Sequence, residues 1–270
     1  MVQALKCLIY AFISGLSEIV PASARGHQSV MMLLFGMSQR DPMLDLMTHL
    51  GIMSCIIVVY KAQFSFLYSK GRVAQSSSAL NRYDRRLLFS AMIPMLIGLM
   101  FYNTGSKYEL NPLSISLFFL LNAVLLIIPD YIRQSNKSAK LMGPFDSLLI
   151  GLSGLLAVFP GFSRLGSGCA AAVIRGADKQ QAFNWLVLLT VPAMAMLIVI
   201  DIIGLFSVGI PGISLWLLFG YIIAAAASFG GCYIGIILMR FLMVNSGFSS
   251  FAFYSFGASF FTFIVYLIAF

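Results

Sequence analysis

Apolar residues run through this chain in long blocks, without the short alternations of a soluble fold. A helix that crosses a bilayer needs about 20 apolar residues, roughly 17–25 in practice. Six stretches reach that length, at about 43–66, 87–104, 112–130, 181–204, 213–240 and 250–270. Two further regions are apolar but broken. Residues 3–20 run up to Pro21, and the stretch from His27 to Gly36 is short before Arg40 and Asp41 intervene. Residues 145–159 run up to Pro160, and the stretch from Gly166 to Ile174 ends at Arg175. Ten helical residues rise about 15 Å, half of a hydrocarbon core. A long arm, a break rich in Pro, Gly, Ser and Arg, and a short arm predict a re-entrant helical hairpin. Its irregular backbone must be buried in protein or line a cavity. The pattern therefore predicts an all-α integral membrane protein, with six transmembrane helices and two re-entrant hairpins in a single membrane domain over 1–270. Lys6, the apolar run after it and Ala22-Ser23-Ala24 also imitate a cleavable signal peptide. The same pattern recurs in mid-chain, where no signal peptidase acts, so the hairpin reading is preferred.

The recurrence is an internal repeat. SGLSEIVPASARGH, from Ser14 to His27, aligns with SGLLAVFPGFSRLG, from Ser153 to Gly166. Ser14/Ser153, Gly15/Gly154, Leu16/Leu155, Pro21/Pro160 and Arg25/Arg164 coincide at one offset of 139 residues, which also pairs Asp45 with Asn184. Repeat one covers about 1–135 and repeat two about 140–270, each a hairpin followed by three spans. Three crossings is odd, so the second half is expected to enter the membrane inverted. Loop charge gives an independent reading. The loop after the first span carries Lys70, Arg72, Arg82, Arg85 and Arg86, while 205–212 carries no charge. The loop at 131–144 carries Arg133, Lys137 and Lys140. The positive-inside rule places the two basic loops in the cytoplasm and both termini outside.

Composition agrees. The chain is 60% hydrophobic and 10% charged, with a mean hydropathy of +0.94. Soluble chains are roughly 45–50% apolar and about 25% charged, so a soluble enzyme, a disordered tail and a secreted disulfide scaffold are excluded. The net charge of +8 resides mostly in short loops and makes no basic stripe for nucleic acid. The four cysteines, Cys7, Cys55, Cys169 and Cys232, lie in apolar runs without metal spacing and are expected as small packing residues.

Charges within the membrane cost at least about 2.5–3.5 kcal/mol each on insertion scales. The breaks hold Glu18, Arg25, His27 and Arg164, with Ser14, Ser17, Ser23, Ser163 and Ser167 nearby. If the hairpin tips meet, two guanidinium forks, several hydroxyls and the free N–H groups of two helix starts converge. That is the chemistry a phosphate needs. Glu18 then suits a proton acceptor or a metal ligand. His27 suits a nucleophile, a general acid or a simple hydrogen bond to a carbonyl. Asp45 and His49, one turn apart, either extend the site or satisfy each other at a packing seam. Asp201 and Arg240 are expected at the membrane interface.

These motifs resemble the undecaprenyl-pyrophosphate phosphatase family, also called the bacitracin-resistance family. Its first motif reads approximately (E/Q)GxxExxPxSSxGH, and its second PGxSRSGxT. Glu18, Pro21, Ser23, Gly26 and His27 match the first; Pro160, Gly161, Ser163, Arg164 and Gly166 match the second. The likeness extends over most of the chain, since that family also has six spans, two re-entrant hairpins and inverted repeats. It implies that Glu18, His27 and Arg164 are catalytic in cleaving the terminal phosphate of a C55 lipid pyrophosphate. The chemistry of the breaks itself points to phosphate binding by Ser23, Arg25, Ser163, Arg164 and Ser167 with a surrounding layer of Ser14, Ser17, Asp45 and His49, and the resemblance implies a divalent cation, Mg2+, for which Glu18 is the candidate ligand. The implied setting is the bacterial plasma membrane and lipid-carrier recycling for the cell wall. Membrane lipids are then the other partners, nucleic acid is none, and a homodimer is an open assembly state. Ser14, Ala24, Arg25, Leu165 and Gly168 depart from the motifs. Ala24 stands at a proposed serine nucleophile, so hydrolysis here requires His27, Ser23 or an activated water. A protein that binds or translocates a lipid phosphate without hydrolysis is the second reading, and a small-anion transporter the third.

Overall fold

The computed structural model describes residues 2–64, 80–132, 137–208 and 215–269. Among them there is no strand. The helices are α1 (Val2–Ile19), α2 (Ala24–Phe35), α3 (Pro42–Val59), α4 (Arg82–Met100), α5 (Pro112–Ile127), α6 (Pro144–Gly151), α7 (Ser153–Leu156), α8 (Arg164–Ile174), α9 (Lys179–Val208), α10 (Leu215–Asn245) and α11 (Ser249–Ala269). Local chemistry sets their starts. Asp41 caps α3 by accepting from the Met43 and Leu44 amides, with Pro42 in the first turn where its missing N–H costs nothing. Asn111 and Pro112 repeat the device at α5, and Asn81 with Asp84 forms a capping box at α4.

Among the described residues, five helices are long and apolar enough to cross a membrane: α3, α5, α9, α10 and α11. A sixth results if α4 and the short 3-10 segment Tyr102–Tyr108, bent from it by 47°, count as one span. These occupy the six stretches expected from hydropathy. The regions expected to be broken are broken: α1 stops at Ile19 before Pro21, and α6–α7 stop at Leu156 before Pro160. Lys70, Arg72 and Arg133, and half of the uncharged loop 205–212, lie outside the described residues.

Packing follows a paired pattern. α1 lies on α10 as α6 and α7 lie on α4; α3 lies on α10 as α9 lies on α4; α3 meets α9, and α5 meets α11. The closest approaches need glycine. A Cβ on Gly15 would sit 2.1 Å from the Ser228 carbonyl oxygen of α10, and one on Gly154 would sit 2.6 Å from the Met95 carbonyl oxygen of α4. Small residues at such contacts let backbones approach where lipid offers no hydrophobic drive between helices. The opposite faces are apolar and exposed, as with Phe89, Ile93, Ile97 and Met100 at helical spacing on α4. Water would not tolerate these stripes; acyl chains do. All four cysteines are free and buried, as expected.

Asp201 is 9% exposed on α9, where the His49 imidazole hydrogen-bonds it, so its carboxylate is spent on a protein partner and does not reach out to lipid headgroups. Arg240 is exposed, with its guanidinium over the Tyr60 ring.

Candidate functional site

Both breaks end in a serine cap. The Ser23 hydroxyl accepts from the Gly26 amide at the start of α2, and the Ser163 hydroxyl accepts from the Gly166 amide at the start of α8. These caps correspond at an offset of 140 residues, one more than the arms before them. The extra residue falls in the second break, where Gly161 takes φ 128°. Ser23 itself takes φ 65°, a left-handed conformation costly for a residue with a side chain. Its hydroxyl also accepts from the Gly161 amide at 3.1 Å, so this strained serine joins one break to the other. Asn122 of α5 completes the join. Its amide nitrogen donates to the Pro21 carbonyl and the Ser255 hydroxyl, and its Oδ1 accepts from the Ser163 amide at 2.9 Å.

The slip of one residue separates the two arginines in role. Arg164 is the first residue of α8 and forms an ion pair with Glu18 of α1. Its Nη2 also donates to the Thr190 hydroxyl at 3.0 Å, while its Nη1 is buried with no partner among the described residues. Arg25 is the second residue of α2 and turns toward the segment after α4. Its Nε donates to Glu109 at 2.7 Å, and its Nη1 donates to the Tyr102 and Val158 carbonyls at 2.7 and 2.8 Å. The guanidinium lies 3.7 Å from the Tyr102 ring centroid. Arg25 is thus expended on protein partners. Glu109 is shared with Arg40, whose Nη1 reaches Asp45. Burial pushes the Glu109 carboxyl up, but the Arg40 and Arg25 guanidiniums outweigh it and hold the group below the ordinary carboxylate range.

A cavity of about 30 Å³, the room of one or two waters, lies at the junction and is lined by Glu18, Ala24, Arg25, Gln28, His49 and Arg164 among apolar neighbours. Across Tyr102 from it is a wider cavity of about 330 Å³, with Arg40, Asp45, Tyr102, Ser106, Glu109 and Asp201 in its wall. The structure therefore brings Glu18, Arg25 and Arg164 together, along with His49. His27 is not in that wall. Its Nδ1 meets the Ser23 carbonyl at 2.8 Å, its Nε2 meets the Tyr254 hydroxyl at 2.6 Å, and its ring stacks on Tyr254. Ser14, Ser17 and Ser167 donate to carbonyls of their own helices. Asp45 and His49 are not a pair: Asp45 takes Arg40 and the Tyr10 hydroxyl, and His49 takes Asp201. Sequence reading missed Arg40, Glu109, Asn122 and Thr190. Arg40 and Glu109 carried a signal, as charges in short connections beside the break and the bent span; the other two carried none.

Among the described residues no three His, Cys, Asp or Glu side chains gather as a metal site. Mg2+ commonly binds through one or two carboxylates and completes its shell with substrate phosphates and water. Glu18, the carboxylate in the cavity wall, fits as one such ligand.

Helices of membrane-spanning length that enclose a buried arginine–carboxylate cavity at two helix starts are the architecture of a multi-pass membrane protein with a polar interior. Comparison with known proteins gives the family. Residues 7–261 match the family model described as bacitracin resistance protein BacA, and the chain belongs to that family. It is 26% identical over 234 residues to a protein named undecaprenyl-diphosphatase from Desulfatibacillum aliphaticivorans, covering 82% of this chain and 85% of that one. A namesake from Alkaliphilus metalliredigens (strain QYMF) is 27% identical, over 83% and 85% of the two chains. Another from Prochlorococcus marinus (strain MIT 9312) is 28% identical, over 75% and 78%.

Proposed function

We propose that this protein is a membrane phosphatase that removes the terminal phosphate of a polyprenyl diphosphate, undecaprenyl diphosphate above all, in the bacterial plasma membrane. The observation that carries the reading is the unpartnered Arg164 Nη1 beside Glu18 in the buried cavity. A buried guanidinium N–H without an acceptor is costly, and a phosphate oxygen supplies the acceptor. The three relatives' shared name and the family membership point the same way. Arg164 holds the terminal phosphate, and the capped starts of α2 and α8 direct N–H groups toward it. Ser23 and Ser163 hold the breaks in shape. Arg25 contributes positive potential from behind its Glu109 partner. A divalent cation bound through Glu18 would supply Lewis-acid charge on the diphosphate. His27, carried over by family likeness, would enter the chemistry only by leaving Ser23 and Tyr254.

The reading includes an architecture. α1–α2 and α6–α8 are taken as re-entrant hairpins whose tips meet, within two inverted repeats that place both termini outside. The paired packing of α1 on α10 and of α6–α7 on α4 supports that arrangement. So does the recurrence of a serine cap after each proline break.

The test is phosphate release from farnesyl and undecaprenyl diphosphate by purified full-length protein, with and without Mg2+. Turnover is expected from the wild type. Arg164→Ala is expected to lower kcat/KM by about 10²–10³, the scale of losing one preorganised charge-stabilising donor. A second reading, binding or translocation of a lipid phosphate without hydrolysis, is favoured by Ala24, which presents no hydroxyl to the cavity. Silence of the wild type toward both substrates, with retained binding, selects it.

A further inference from the structure

We infer that His49, oriented by Asp201, is the acid–base residue that activates the attacking water in this cavity; the inference rests on the hydrolase reading above. Three observations carry it. His49 lies in the wall of the same small cavity as Glu18 and Arg164, whereas His27 does not. Its Nδ1 is 2.7 Å from Asp201 Oδ2, with the pair bridging α3 and α9 deep in the protein. A carboxylate acceptor fixes the proton on Nδ1 and leaves Nε2 as the ring nitrogen free for the cavity. This is the arrangement by which a carboxylate holds an imidazole in the tautomer of a general base. Third, Asp201 also lines the wider cavity, so the pair joins the reaction chamber to a larger polar space.

The serines cannot do this work. Ala24 has no hydroxyl, and the Ser23 hydroxyl is held by two backbone amides. The charged groups facing the pair are Glu18 from α1, Arg25 from α2, Asp45 on α3 itself, Arg164 from α8 and Arg40 from the α2–α3 connection. α10, packed against α3, brings the neutral Cys232 thiol. The Arg164 guanidinium, with its unpartnered Nη1, serves the phosphate, which leaves the imidazole for the water.

In the step, the water oxygen forms a bond to the terminal phosphorus as one water proton passes to His49 Nε2. The bond from that phosphorus to the bridging oxygen breaks, and its electron pair stays on the departing lipid monophosphate. The other water proton leaves with the inorganic phosphate. His49 returns its proton to solvent, so no oxidant or further reactant enters.

The experiment measures phosphate release from farnesyl diphosphate by the purified full-length protein as a function of pH. Binding of the non-hydrolysable methylene analogue is measured on the same preparations. His49→Gln is expected to lower kcat about 10²–10⁴-fold, the range for losing a general acid–base group, with analogue binding retained. The acid limb of the kcat profile should vanish with it. Asp201→Asn should lower kcat at unchanged KM and alter the profile, and Asp201→Glu should restore part of the rate. Full turnover by His49→Gln in an active background overturns the inference and leaves the hydrolase reading standing. A silent wild type overturns both. If His49→Gln also loses analogue binding, Asp201→Asn decides: a wild-type pH profile and kcat in that variant overturn the inference.

Discussion

At the scale of single residues, the sharpest contrast is between the two break arginines. Both sit within the first turn of a short helix, and both are 5% exposed. Arg164 retains a free N–H in the cavity; Arg25 is consumed by Glu109 and two carbonyls. Arg25 should therefore matter more to stability than to chemistry. Removing one partner of a buried pair typically costs about 3–5 kcal/mol, and Arg40 remains to share Glu109. Arg25→Ala is expected to fall near the low end of that range in denaturation of the detergent-solubilised protein. A fall in activity far exceeding the fall in folded fraction would put Arg25 back on the phosphate. Glu109 makes the same network sensitive to acid. Its folded pKa is depressed, so its contribution is present above the unfolded value of about 4.3 and is lost as pH falls through the folded value. Melting temperature should drop below about pH 4 in the wild type and drop less steeply in Glu109→Gln.

At the scale of elements, hydropathy and proline were enough to find the spans and the breaks. Each span is one continuous apolar run, and the arms α1 and α6–α7 stop short of Pro21 and Pro160. What could not be read was where the polar side chains go. Arg25 and Glu109 are 84 positions apart, Arg164 and Glu18 146 apart, and His49 and Asp201 152 apart. Local periodicity carries nothing about such partners, so the one-turn spacing of Asp45 and His49 leaves site extension and a seam pair equally open. The register of the repeat failed for a related reason. Identities align Arg25 with Arg164, but the extra residue at Gly161 shifts the caps, and only the backbone reveals it. The brace over that shift is Asn122, fully buried. Asn122→Leu keeps the volume but orphans the Ser163 amide, and an unsatisfied buried donor costs about 1–3 kcal/mol. The variant should lose that much stability and also bind the diphosphonate analogue more weakly, because the start of α8 positions Arg164. Wild-type binding at lowered stability would make Asn122 a packing residue only.

At the scale of the whole molecule, the open matter is orientation, and the packing pattern makes it testable. α1 rests on α10 through Gly15 as α7 rests on α4 through Gly154. On the proposed architecture of three spans in each half, the halves would face opposite ways, because an odd number of crossings reverses the second entry. Lys107, in the bent segment after α4, should then be outside, and Lys140, before α6, should be in the cytoplasm. The positive-inside rule supports the second placement through Lys137 and Lys140. Both positions are exposed, while all four native cysteines are buried and free. Single cysteines introduced as Lys107→Cys and Lys140→Cys can thus be read against a quiet background. A membrane-impermeant maleimide added to intact cells is expected to label the first and spare the second, and permeabilisation should expose the second. Labelling of both from outside would remove the odd crossing between the halves, and the inverted arrangement with it; labelling of Lys140→Cys alone would keep the crossing and overturn the placement of the termini outside.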